Sequence, residues 1–242
     1  MAKKSNAPIS HVNLNANYWF LCATILLFIV RVVTIPSNLL DLTSPSGSYE
    51  SFSDKMVSMI YIGLVIMVMV YLNSEAIKEK CQTEKANTYL VFLTTVFPWL
   101  SIFGLLYAML IAMPGWKAPF SNTIGYIIAI YFMGGRKKLL DLIKRGQEAE
   151  NQSLIETIQN NTTTLINEYG IENIGKLKRL SKIKAKSPFI SYDENEINKK
   201  KYNKIARLIL IKDFISEGLW YLLTGFLVIS ITTNYIMEQN CI

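Results

Sequence analysis

Five apolar stretches divide this chain of 242 residues, and almost all its lysines and arginines fall in segments that alternate crossings leave on one face of a membrane. A helix needs about 20 predominantly apolar residues to cross the hydrocarbon core. Tyr18 to Ile35, Met56 to Leu72, Thr88 to Met113 and the stretch around Phe214 to Met237 approach that length. Ala118 to Met133 is shorter and holds Ser121, Asn122 and Thr123, so it either crosses or re-enters. A hydrophobic fraction of 51% excludes an ordinary soluble domain, while 18% charged residues require a sizeable part outside the membrane. The expected fold is all-α: a polytopic integral membrane protein of about five transmembrane helices with a basic helical subdomain. Its divisions are a polar leader (1–17), a four-span region (18–133), the basic subdomain (134–205) and a C-terminal span with a short tail (206–242).

Charge decides how the short fourth stretch is read. With Lys3 and Lys4 cytosolic, the segment Pro36 to Lys55 is external and acidic, and Asn73 to Asn87 is cytosolic with Lys78, Lys80 and Lys85. If Ala118 to Met133 returns, the basic region after Gly135 becomes cytosolic too, and 20 of the 25 lysines and arginines lie inside against two outside. Cytoplasmic segments carry such an excess near span ends. Tyr18, Trp19, Tyr71, Tyr89 and Tyr131 then fall at inner ends, and Trp116 and Tyr235 at outer ends, where amphipathic rings favour the headgroup level. This predicts a cytosolic N-terminus, a lumenal C-terminus and unmodified sequons at Asn151, Asn160 and Asn161. The first span reads as an uncleaved signal anchor. Cys22 in a span, Cys81 inside and Cys241 outside permit no intrachain disulfide in this arrangement.

Ionisable residues within spans are candidate functional groups. Arg31 lies about one turn from the outer end of the first span, so its side chain is expected to reach lipid phosphates. Asp213 and Glu217, four residues apart, share one helix face beside Lys212 and are expected at the inner interface. Arg31 and Glu217 thus belong at opposite depths and should not pair. A transporter or channel, or a subunit of a cellular membrane complex, could use Asp213, Glu217, Ser121 and Asn122; this is the rival to a structural role.

Catalysis is poorly supplied. The single histidine, His11, sits in the polar leader, and no zinc ligand set or Cys and His pair can be assembled. No enzyme activity, cofactor or metal is expected. In the basic region, Leu139, Leu140, Leu142, Ile143, Leu154, Ile155, Ile158, Leu165 and Ile166 recur at helical intervals, predicting a hairpin or a broken helix. Ile174, Leu177, Leu180 and Ile183 then repeat every three residues among Lys176, Lys178, Arg179, Lys182, Lys184 and Lys186, predicting a basic amphipathic helix. Its apolar stripe must be buried, which ranks a lipid surface or a protein partner above nucleic acid. Ser191-Tyr192-Asp193-Glu194 reads as a capping box opening a helix that runs unbroken into the last span.

Pro114, Gly115 and Pro119 force a turn in the string Pro114-Gly115-Trp116-Lys117-Ala118-Pro119-Phe120-Ser121-Asn122-Thr123-Ile124-Gly125-Tyr126, with Trp116 as an interfacial anchor and Ser121 or Asn122 as a cap for the returning helix. Pro98 should kink the preceding span. Phe97-Pro98-Trp99 followed by this string, Gly125 included, resembles a family of polytopic membrane proteins of nucleocytoplasmic large DNA viruses, over approximately Tyr89 to Met133. The resemblance implies a virion protein of the internal lipid membrane, derived from host endoplasmic reticulum. It also implies that the basic subdomain ties that membrane to capsid or minor capsid proteins, in a homo- or hetero-oligomer, with no catalytic residues.

Overall fold

The computed structural model describes residues 10–44, 48–49, 52–83, 87–142, 156, 160–181 and 189–238. Among them the chain is helical, without strands. Its principal helices are α1 (Ser10–Val33), α2 (Phe52–Cys81), α3 (Thr88–Ala112), α4 (118–132), α5 (Gly135–Leu140), α6 (Thr162–Asn167) and α7 (Glu196–Glu238). Single 3-10 turns lie at Leu39–Leu42, Pro114–Lys117 and Ile174–Ser181. Four helices, α1, α2, α3 and α7, are long and apolar enough to cross a membrane.

The chain forms two compact units that cut across the linear division expected from sequence. The first comprises 1–29, 53–113 and 218–242; the second, 30–52 and 114–217.

In the first unit the helix ends follow from local chemistry. α2 stops where Gln82 takes a left-handed backbone, φ 51°, and Thr83 N–H returns to the Lys78 carbonyl. That 6→1 bond satisfies a carbonyl the helix end leaves open. α3 starts at Asn87, whose side chain accepts from the Tyr89 and Leu90 amides. Pro98 does not end α3: the helix continues through it, with π turns at Phe92–Val96 and Trp99–Phe103 on either side. A wider ladder accommodates the N–H that proline lacks.

Side-chain pairs fix the directions of these helices. Asn73 donates to Thr95, and Ile77 clusters with Val91, so α2 and α3 are antiparallel. Thr24 bonds Tyr61, whereas Phe20, one turn earlier, meets Trp99, at a level further along α2; α1 therefore also opposes α2. Tyr61 stacks on Tyr221, and Lys80 donates to the carbonyls of Ile236 and Met237 at 2.7 and 2.8 Å. α7 therefore runs parallel to α2. The expectation that Lys80 and Tyr235 lie at opposite faces is contradicted. The core is aromatic: Phe20, Trp99, Phe103 and Tyr221 are all but fully buried and meet edge to face or tilted. Cys81 is disulfide-bonded and Cys22 is free, which overturns the expectation of no intrachain disulfide. Cys241 lies outside the described residues.

In the second unit, the first half of α7 is the axis. Its N-cap is Asn195, whose side chain accepts from the Asn198 amide, so the helix opens later than the expected box at Ser191 to Glu194. Beyond that cap α7 is unbroken for 43 residues, as the lack of an early Gly or Pro predicts. Tyr202, Ile205, Leu208 and Ile209 bury one side of it, with Leu39, Leu40, Leu139 and Leu142 also buried in this unit. Asn203 Oδ1 accepts the Leu40 amide, and Tyr202 Oη donates to the Ile190 carbonyl.

Candidate functional site

One side of α7 carries Lys212, Asp213, Ser216 and Glu217, and all four side chains are buried. Buried charges persist only when paired and hydrogen-bonded. Here each is. Arg31 Nη1 donates to Glu217 Oε1 at 2.9 Å, and Lys117 Nζ to Glu217 Oε2 at 2.9 Å. The Arg31 guanidinium also lies 4.0 Å from the centre of the Phe214 ring. Asp213 Oδ1 accepts from Ser121 Oγ at 2.6 Å, and Oδ2 from the Ile171 amide at 2.7 Å. Lys212 Nζ donates to Asn122 Oδ1 at 3.1 Å and to the carbonyls of Ile166 and Tyr169 at 3.2 Å. Ser216 Oγ donates to the Lys117 carbonyl.

One turn and a half of α7 thus holds the end of α1, the turn at Pro114–Lys117, the start of α4 and the chain after α6. The Arg31–Glu217 pair contradicts the expected separation in depth: Arg31 does not extend to lipid, and Glu217 is level with the end of the first apolar helix. The expected separation rests on reading 118–133 as a crossing, which assigns the residues before and after it to opposite faces.

The turn motif acquires distinct roles. Asn122 receives Lys212, and a Cβ on Gly125 would stand 2.7 Å from the Lys212 carbonyl oxygen, so only glycine permits α4 to lie this close to α7. Pro119 occupies the first turn of α4, where its missing N–H is harmless. Gly115 has open space around it and Trp116 is exposed. Pro114 opens the 3-10 turn. Sequence reading found Asn122 and Gly125 but not their partner, because the contact joins residues about 90 positions apart.

The basic stretch differs from expectation. Ile174–Ser181 is a 3-10 helix, whose period of 3.0 residues matches an apolar residue at every third position. Ile174 and Leu177 are buried within the second unit, so this part of the apolar stripe is covered by the chain itself, while the Leu180 side chain and Ile183 lie outside the described residues. Lys176 and Arg179 lie on this element, and Lys178 Nζ stands 3.9 Å from Asp41 and 5.2 Å from the Tyr192 ring centre. Lys182, Lys184 and Lys186 lie outside the described residues, as do the expected helical positions Ile143, Leu154, Ile155 and Ile158. Among the described residues no group of three or more His, Cys, Asp or Glu is placed to hold a metal ion. No protein family, curated protein or solved structure matches this chain. The fold and the cluster define a helical protein with four membrane-length apolar helices, braced by a buried ionic cluster on the last of them.

Proposed function

We propose that this is an integral membrane protein of four crossings that works as an anchor, presenting the unit formed by 30–52 and 114–217 to a protein partner on the cytosolic face. The observation that carries it is the parallel course of α2 and α7, seen in Tyr61 on Tyr221 and Lys80 on Ile236. With a single crossing between them, α3, the segment 114–217 must leave and re-enter on one face. Only about a third of each apolar window is buried in the protein, 28% to 39%, which leaves most of it for lipid. Twenty of the 25 lysines and arginines then share one face, which the positive-inside rule makes cytosolic. The N-terminus, the turn after Cys81 and the C-terminus face the lumen, an oxidising compartment in which the disulfide of Cys81 persists.

The ionic cluster supports a structural role over transport. Both oxygens of Asp213 and of Glu217 are engaged by donors of the chain itself, which suits bracing rather than the capture and release of an ion. That the partner is a capsid or minor capsid protein, and the membrane that of a virion derived from host endoplasmic reticulum, rests on the resemblance over Tyr89 to Met133. Epitope tags at both termini and within 143–150, probed in sealed microsomes, test the topology: the two terminal tags should be protected together and the internal one exposed. Opposite protection of the two termini would sink the four-crossing reading. Capsid protein in crosslinks to 114–217 from purified particles is the outcome expected of the virion reading; its absence from such particles would overturn it.

A further inference from the structure

A cavity of about 630 Å³ in the second unit is lined by the apolar Val32, Met133, Leu208 and Ile211 together with a group of cations. Lys137 and Lys138 come from the first turns of α5, and Lys201, Lys204 and Arg207 project from α7 at three-residue intervals, hence from one helix face. Asp141 is the single carboxylate among the described lining residues. Two of the cations are held by neutral groups: Lys138 Nζ donates to the Met133 carbonyl at 2.7 Å, and Arg207 Nη2 to the Val32 carbonyl at 3.1 Å. Burial, and then the charges of Lys204 and Arg207, push the Lys138 ammonium below its usual pKa. Like charges gathered about a cavity are stabilised by an anion entering it.

We propose that this cavity binds a phosphate group, with Lys137, Lys138, Lys201, Lys204 and Arg207 as its ligands. The apolar lining residues fit an amphipathic carrier, and among the described lining residues there is no aromatic ring to stack a base. Val32 is the penultimate residue of α1, so the wall includes the end of an apolar helix, where lipid phosphates lie. Basic pockets at that level on a cytosolic face take anionic headgroups. The lipid as source rests on the proposed topology; the phosphate site does not.

The test uses the full chain in nanodiscs, which expose both leaflets and so remain informative whichever way the protein is oriented in cells. Nanodiscs of phosphatidylcholine with and without phosphatidylinositol 4-phosphate are compared by native mass spectrometry, and inorganic phosphate is titrated separately. Selective retention of the phosphoinositide is expected, weakened about tenfold or more in Lys137→Gln/Lys204→Gln. The charge-matched pair Lys78→Gln/Lys199→Gln, two partly exposed lysines that do not line the cavity, should retain it. Tight binding of inorganic phosphate, lost in the first pair alone, would support the site and assign it to a soluble phosphate. Equal weakening by both pairs, or no retention of either probe by the folded wild-type chain, overturns the proposal.

Discussion

Arg31 and Glu217, 186 positions apart, form a buried ion pair in which Lys117 occupies the second carboxylate oxygen. One acidic side chain on the last helix thereby holds both the end of the first apolar helix and the turn that follows the third. Removing one partner of a buried pair costs about 3–5 kcal/mol, because the other is left charged and desolvated. Glu217→Ala should therefore lower the unfolding midpoint strongly in thermal scans of the detergent-solubilised chain. Arg31→Met/Glu217→Leu should lose less than the sum of the single changes. Strict additivity would mean the pair carries no coupling.

Glycine substitutions separate space from sequence motif. Gly125→Ala forces a Cβ against the Lys212 backbone, and Gly225→Ala forces one into the ring of Phe20. Each should destabilise by about 1–3 kcal/mol, the usual cost of overpacking. Gly115→Ala, with nothing within 4 Å of the new methyl, should stay within about 0.5 kcal/mol of the parent. Chemical unfolding of the three variants checks the order, and a Gly115→Ala as damaging as Gly125→Ala would contradict it.

The disulfide of Cys81 predicts a labelling pattern. Denatured without reductant, the chain should take up a single maleimide, at Cys22; after reduction it should take up three. Cys81→Ser should cost about 2–5 kcal/mol, the typical loss on removing a native disulfide. Three labels on unreduced protein would contradict the disulfide and remove its support for an oxidising compartment around Cys81.

Tyr192 should make stability sensitive to alkali. Its hydroxyl donates to Asp41 Oδ1 at 2.6 Å, and burial, followed by that hydrogen bond and the Asp41 charge, pushes the phenol above its usual pKa of about 10. The folded state thus favours the neutral phenol. Its contribution is complete below pH ~10 and declines as the pH rises from there toward the folded value, since the unfolded chain ionises first. Denaturation followed from pH 8 to 11 should show a steeper loss for the wild-type chain than for Tyr192→Phe. Parallel profiles would exclude the mechanism.

Much of the helical framework is legible along the chain. Apolar length gives the four long helices, and the absence of Pro and of any Gly before Gly218 gives an unbroken α7, whereas the stretch expected as a basic amphipathic helix is a 3-10 helix over Ile174–Ser181. The turn after Ala112 can also be read there, since proline declares its own backbone needs; what Asn122 and Gly125 meet cannot, because Lys212 lies about 90 positions away. The apolar face of 118–132 cannot be assigned in this way: Ile124, Ile127, Tyr131 and Phe132 are exposed, while Ser121 and Gly125 face α7. A short apolar helix has the same composition whether it crosses a bilayer or lies along another helix.

Local sequence by itself determined where helices form and how much charge the chain must keep in water, because helix length, capping and hydropathy are properties of neighbouring residues. Tertiary structure alone decided the direction of the last helix and the fate of its charges. Asp213 and Glu217 look alike in sequence whether they meet water, an ion or a distant arginine, and the energy that chooses among these comes from partners brought close only by packing.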